Sequence, residues 1–223
     1  MTFKAKESLT EQIAHYLEQR IIMGEMEPGE RIQELRIAAE MDVSRGSVRE
    51  SLLILQRRHL VEIFPRRGAI VSSISGSDVR DFFELWLLLI ERAAVDLAAS
   101  WKGEDLAPLF EDMQGLSDCL HNDDLPGFYR YGIAFMNNIG NGSGNRYLRA
   151  TLQDLAPLTQ RCFYAILRAG RSQIDRGHHF MEALLQALIA RDAEQVRVIA
   201  SEFGSDYTRL AQASADALAG RKT

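Results

Sequence analysis

The sequence predicts a mainly α protein: an N-terminal winged helix-turn-helix over residues 1–74, followed by an all-α antiparallel helical bundle over 75–223. Three observations carry that expectation. Between Pro28 and Val71, two short helical patterns meet at a tight turn, and an apolar, strand-like return with a basic tip follows. Past the small-residue stretch Ser72-Ser73-Ile74-Ser75-Gly76, every apolar pattern has the helical period. Finally, 46% hydrophobic and 26% charged residues in a chain of 223 describe two modest globular domains rather than a disordered chain.

Taken in order, a short basic arm with Lys4 and Lys6 leads to a first helix over Leu9–Met23. Ser8 and Thr10 are its candidate caps, and Ile13, Leu17 and Ile21 recur every four residues. Gly24 ends it and Pro28-Gly29 turns the chain. A second helix is expected over Ile32–Met41, with Leu35, Ala38 and Ala39 facing inward. Asp42-Val43-Ser44-Arg45 closes that helix and opens the next, Arg45–Arg58, because the Ser44 hydroxyl can accept from the free backbone N–H groups of the following turn. Val48, Leu52 and Leu55 fall on one face of it, while Arg45 and Arg49 share another and are free to point outward. Leu60–Phe64 and Ala69–Val71, joined by Pro65-Arg66-Arg67-Gly68, make a small hairpin. Three helices and a two-stranded wing are a winged helix-turn-helix. A helix that opens after a turn and shows arginines near its N-terminus suits a DNA major groove.

The second part is expected to hold six helices: Asp78–Ser100 with Ser77 as cap, Glu104–Leu120, Pro126–Ile139, Asn145–Ala169, Ser172–Ala190 and Ala193–Ala217. The glycine-rich GNGSGN ends the third, and Pro157, lacking a backbone donor, is expected to bend the fourth. Arg191-Asp192 joins the last two.

A net charge of −5 does not suggest a nucleic-acid binder, but its distribution does. From Ser44 to Arg67 there are six arginines against Glu50 and Glu62, a local balance of +4. Arg57, Arg58 and His59 read as a solvated helix end that suits the dipole. Cys119 and Cys162 lie within amphipathic patterns, which fits a reducing compartment and no disulfide framework. The stretch MTFKAKESLTEQ lacks an apolar signal core, and Leu85–Ile90 is far too short to span a bilayer, so a cytoplasmic location is expected.

The segments PGERIQE, VSRGSVRESL and LVEIFPRRGAIV resemble the DNA-binding domain of the GntR family of bacterial transcription regulators. The resemblance implies that Ser44, Arg45, Ser47 and Arg49 contact operator DNA from the recognition helix. It also places Arg66, Arg67 and Gly68 at a wing tip near the minor groove. Arginine can read guanine bidentately or grip phosphate, whereas the serines suit phosphate. Two departures stand out. Gly46-Ser47 replaces the Thr-Pro common in the family, and Leu35 stands where some members have arginine, with Arg36 as the substitute. The second part resembles the FCD subgroup, relatives of the fatty-acid regulator FadR, through FELWLLLIERAAVDLAA, SGNRYL and LLQALIARDAEQV.

Many FCD domains hold a divalent metal on one aspartate and three histidines. On that pattern this chain has Gly132 and Met136 at the first pair, Met181 at the second histidine and Phe203 at the third, with Leu87 replacing an arginine of the first FCD helix. Glycine brings no donor and a thioether favours soft copper(I). The resemblance therefore implies no metal and no other cofactor, with His178 or His179 as the weighed rescue. Leu87, Gly132, Met136, Met181 and Phe203 would line an apolar chamber, either filled as core or open to an effector more apolar than a small carboxylate. Tyr131, Arg161, Tyr164 and His178 are the candidate polar groups around it.

The expected function is a homodimeric, sequence-specific regulator on a double-stranded operator, with the bundle sensing a metabolite without metal. The alternatives are a filled bundle that only dimerises and, further off, a metal-dependent carboxylate sensor. No nucleophile–base pair, phosphate loop or metal spacing supports an enzyme. The paired acids Asp123-Asp124 and Glu111-Asp112 read as solvated helix ends or faces.

Overall fold

Ser8 opens the first helix, α1 (Leu9–Ile22), with a capping box: its hydroxyl accepts from the Glu11 N–H, and the Glu11 carboxylate accepts from the Ser8 backbone. Thr10 lies inside the helix rather than at its cap. The structure, a computed structural model, describes residues 8–73, 75–168 and 170–204; Lys4 and Lys6, and the end of the expected helix to Ala217, lie outside them. The chain divides into two compact units, Met1–Ile74 with Pro157–Arg161, and Ser75–Ala156 with Cys162–Thr223.

In the first unit α1 is followed by β1 (Arg31–Ile32), α2 (Glu34–Met41), α3 (Arg45–Arg57), β2 (Val61–Phe64) and β3 (Gly68–Val71). The expected two-stranded wing is a three-stranded antiparallel sheet of order β1-β3-β2. Arg31 pairs with Ile70 and Ile32 with Ala69, so Ile32 is a strand residue and α2 begins two positions later than expected. That later start sets which side chains of α2 are inward. Ile37 and Ala38 are buried, whereas Leu35 is 68% exposed and Ala39 faces solvent. The core gathers Ile13, Leu17 and Ile21 of α1, Ile37 of α2, Val48, Leu52 and Leu55 of α3, and Leu60, Val61, Ala69 and Val71 around the wing. Each fully buried aliphatic side chain is worth about 1.5–3 kcal/mol. Since Val48, Leu52 and Leu55 are all buried, α3 has one rotational setting, and its arginines are left outside.

The second unit holds α4 (Gly76–Ser100), α5 (Ala107–His121), α6 (Leu125–Gly142), α7 (Arg146–Leu167) apart from its residues 157–161, and α8 (Arg171–Ile189), with residues 193–204 also helical. Ser75, not Ser77, caps α4, in a box with Asp78. Pro108 sits in the first turn of α5, where its missing N–H is tolerated, and the helix starts at Ala107 instead of Glu104. The glycines of GNGSGN do not stop α6 at Ile139: it runs to Gly142, where a Cβ would come within 2.8 Å of the Leu97 side chain. Pro157 lies inside continuous α7, whose cap Asn145 accepts from the N–H groups of Tyr147 and Leu148. The bundle core includes Phe83, Phe128, Phe135, Leu109 and Leu116, all essentially inaccessible. Phe82, Phe83 and Trp86 meet edge to face, with centroids 5.4 and 6.0 Å apart.

Candidate nucleic-acid interface

The turn between α2 and α3 depends on Asp42, whose left-handed backbone (φ 52°) ends α2, with its N–H reaching the Ala38 carbonyl. Aspartate tolerates that conformation better than most side chains. Two residues on, the Ser44 hydroxyl accepts from the Ser47 N–H at 3.0 Å, and the two hydroxyls lie 2.9 Å apart. Ser44 is thus both the N-cap of α3 and an exposed hydroxyl beside its free N–H groups, where an anion is favoured.

From the first two turns of α3, Arg45 and Arg49 reach toward α2 and converge on one carboxylate. Each donates its Nε to Glu34 Oε2, at 2.7 and 2.8 Å. Glu34 is 13% exposed, while the arginines are 51% and 60% exposed, so the carboxylate lies beneath and the guanidiniums above. Burial pushes the Glu34 carboxyl up, but the two hydrogen bonds and the two positive charges more than offset it and hold its pKa below the usual glutamate value. With Nε of each arginine engaged on Glu34, the terminal nitrogens of these half-exposed side chains can supply the fork that matches guanine or phosphate. Sequence reasoning missed Glu34. A contact across eleven and fifteen positions between two helices leaves no mark in helical periodicity.

At the wing, Arg66 has φ 64° and Gly68 φ 86°, and Arg66 and Arg67 are exposed at the tip. Gly68 supplies a backbone that other residues adopt only under strain. A Cβ there would sit 3.8 Å from Nη2 of Arg31, the exposed β1 residue, so a third guanidinium joins the wing that the sequence did not suggest. Arg36 is exposed on α2, next to the equally exposed Leu35. Arg58 departs from its expected role. Its Nη1 donates at 2.6 Å to Glu18, which is only 6% exposed, so Arg58 ties the end of α3 to α1.

In the bundle, Gly132, Met181, Phe203 and Leu87 meet apolar or glycine neighbours. Gly132 faces Phe163 and Met181: a Cβ on it would lie 3.0 Å from the Phe163 ring and 3.6 Å from the Met181 methyl. Met136 and Met181 are buried. Phe203 stacks on Phe180 with centroids 3.6 Å apart, and Leu87 packs where a Cβ on Gly204 would be, 2.6 Å away. The Tyr131 ring lies against Gly115 of α5, and Tyr164 packs edge to face on Tyr129 at 5.2 Å. Arg161 donates to the hydroxyl and carbonyl of Ser72, at 2.9 and 2.8 Å, and is 8% exposed. His178 lies 2.9 Å from the Ser117 hydroxyl, and His179 is exposed beside Glu182. The family's metal does not fit these residues: the four ligand positions offer no oxygen or nitrogen donor, and Phe163 occupies the space beside Gly132. Among the described residues no three of histidine, cysteine, aspartate and glutamate gather in a metal-holding group.

The paired acids divide. Asp123 is exposed and bridges to Arg171, and Asp124 caps α6. Asp112, expected on a solvated face, is 8% exposed and accepts from Asn138 at 2.7 Å; burial holds its pKa above the usual aspartate value.

Comparison with known proteins covers both units. The model of the gntR family of bacterial regulatory proteins matches residues 9–71, and that of the FCD domain matches residues 81–203. An HTH-type transcriptional regulator from the TAR-I ttuE-ttuC' intergenic region of Agrobacterium vitis is 34% identical over 45% of this chain. That match spans 61% of the relative's length. The HTH-type transcriptional regulator YdhC of Bacillus subtilis (strain 168) is 28% identical over 68% of each chain. Among solved structures, E. coli McbR/YncC superposes with a TM-score of 0.76 at 21% identity, covering 97% of this chain and 99% of its own, a likeness of fold.

Proposed function

The chain belongs to the gntR family of bacterial regulatory proteins, with an FCD domain as its second part, and from that membership we infer how it meets DNA. It is a DNA-binding transcriptional regulator and not an enzyme. In our reading it grips a pseudo-palindromic operator as a homodimer in the cytoplasm. Each α3 enters a major groove with Arg45 and Arg49 on base edges, and Ser44 and Ser47 lie against phosphate. Arg66, Arg67 and Gly68 lie at the minor groove, and Arg36 reaches the backbone from α2. The observation that supports this most strongly is the shared Glu34 carboxylate, on which two half-exposed arginines of α3 converge through Nε.

Two copies make about six to ten phosphate contacts, so log K against log salt falls with a slope of about −5 to −9. The test is a fluorescence-anisotropy titration of an operator selected from random duplexes. Arg45→Ala or Arg49→Ala is expected to weaken operator binding by about 1–3 kcal/mol while affecting a scrambled duplex far less. Unchanged operator affinity in both variants refutes the assignment.

For the bundle, the contact of Gly132 with Phe163 and Met181 favours a packed apolar interior. An effector that opens it is more apolar than a small carboxylate and needs no metal. A thermal-shift screen over metabolites separates the two readings, since a ligand stabilises the folded state by mass action and a filled core gives no hit.

A further inference from the structure

We propose that Gly46 selects part of the operator sequence: its missing side chain leaves a notch on the outward face of α3 that takes the C5-methyl group of a thymine. The proposal rests on the reading above that α3 lies in the major groove, and it adds what that helix selects besides guanine. Gly46 is the second residue of α3 and is exposed. The buried face of the helix is Val48, Ser51, Leu52 and Leu55, and at about 100° per residue Gly46 lies roughly 170° round from the centre of that face. It therefore sits at the crest of the outward face. Arg45 precedes it, and Arg49 and Glu50 lie beside it one turn further along, all three exposed.

Packing within the head does not call for a glycine at this position. Among the described residues, a Cβ on Gly46 would meet only the Ser44 hydroxyl, at 3.5 Å, an ordinary contact on a helical backbone. Other helical glycines are held by their neighbours: a Cβ on Gly115 would come within 2.5 Å of the Tyr131 ring, and one on Gly142 within 2.8 Å of Leu97. Glycine weakens a helix relative to alanine, so at this open position it destabilises α3 without easing any contact inside the protein. What needs the space is whatever lies against the crest of α3. In the major groove, base edges present acceptors, donors and one apolar projection, the thymine methyl. Arg45 and Arg49 match acceptors and Glu50 matches a donor, while the floor between them is the bare Cα of Gly46, which offers neither. A methyl group seats there without stripping water from a polar group. With both guanidiniums bidentate on bases, the depth of α3 in the groove is fixed, so a Cβ on residue 46 and the thymine methyl compete for one space.

The test couples one methyl group on the protein with one on the DNA. The full chain and its Gly46→Ala variant are titrated by anisotropy on the operator selected from random duplexes. They are also titrated on copies in which single thymines are replaced by deoxyuridine, which lacks only that methyl. For the unmodified chain, uracil at one position of the half-site should weaken binding about fourfold per methyl lost. Gly46→Ala should bind the thymine operator about tenfold or more weakly, with scrambled-duplex affinity unchanged within about twofold. Uracil at that same position should restore most of the loss. The urea midpoint of Gly46→Ala should be unchanged or raised, since alanine favours the helix. Full-strength binding of Gly46→Ala to the thymine operator, a loss of equal size on every uracil operator, or no thymine whose methyl matters overturns the proposal. An equal loss on the scrambled duplex assigns the space to a phosphate and overturns it as well. Arg45→Ala and Arg49→Ala are titrated in parallel. If both bind operator at full strength while the methyl coupling holds, the arginine reading fails and the notch stands. If both lose operator binding while Gly46→Ala does not, the notch fails and the arginine reading stands.

Discussion

Replacing Glu34 by glutamine keeps the side chain's shape and removes the charge on which Arg45 and Arg49 converge. The carboxylate is 13% exposed and accepts both Nε groups at 2.7 and 2.8 Å. Each of these half-exposed ion pairs contributes about 0.2–1 kcal/mol to folding, so the variant loses about 0.5–2 kcal/mol of stability in its DNA-binding head. The cost in binding is larger than the contacts suggest. Two guanidiniums freed in the unbound protein must be immobilised on DNA, at about 0.5–1.5 kcal/mol each. Operator affinity should therefore fall by about 1–3 kcal/mol, roughly fivefold to 150-fold in Kd. An opposing effect comes from deleting a negative charge near phosphates, worth about 0.5 kcal/mol at roughly 8 Å in water and less in salt. That effect is felt equally on any duplex, so the ratio of operator to scrambled-duplex affinity isolates the positioning effect. Anisotropy titrations of Glu34→Gln on the two duplexes at one salt concentration measure the ratio directly. A ratio within about twofold of the unmodified protein, or an equal fall on both duplexes, refutes the claim that Glu34 orients the arginines.

Three further outcomes are expected. Gly68→Ala puts a Cβ on a backbone at φ 86° and should cost about 1–3 kcal/mol in urea unfolding, with weaker operator binding; an unchanged midpoint contradicts the strained-turn reading. Gly132→Ala crowds Phe163 at 3.0 Å and should destabilise the bundle by about 1–3 kcal/mol, whereas a neutral or raised melting temperature means that space is open beside Gly132. Burial pushes the His178 imidazole below its ordinary 6.5, helped by His179 and His121 and opposed by Glu182 and Asp175. Because the unfolded chain then takes the proton first, stability is fully present above about pH 6.5 and is lost as pH falls through the lower folded value. Urea midpoints should decline below about pH 6.5 and less steeply in His178→Gln; identical slopes contradict this.

The elements legible in the sequence are those whose cause is local. Ser44 caps α3 because of its own hydroxyl, and Val48, Leu52 and Leu55 declare the buried face by spacing alone. The small wing was legible from its turn residues, but β1 was not, because a two-residue strand exists only through its pairing with Ala69 and Ile70. With the helix start misplaced by that strand, the inward face of the eight-residue α2 was assigned to Leu35 instead of Ile37. At GNGSGN the glycines suggest a helix end, yet α6 runs on to Gly142, where Leu97 packs too close for a Cβ. Glu34 under the arginines and Glu18 under Arg58 were invisible for a different reason. Each contact joins side chains on separate helices, and a single sequence carries no record of which faces meet.

The β1 strand has a consequence for how the head opens and closes. Its pairing of Arg31 with Ile70 closes a loop of about forty residues that contains both α2 and α3. The wing is therefore not a hairpin that frays by itself: releasing β3 from β1 also releases the entry to α2, whose Glu34 holds the arginines. Native-state hydrogen exchange should find the β1–β3 amides and those of α2 opening together as one cooperative unit. In a head built this way the wing and the α2–α3 pair are held or released together, because the same strand pairing holds the two in place.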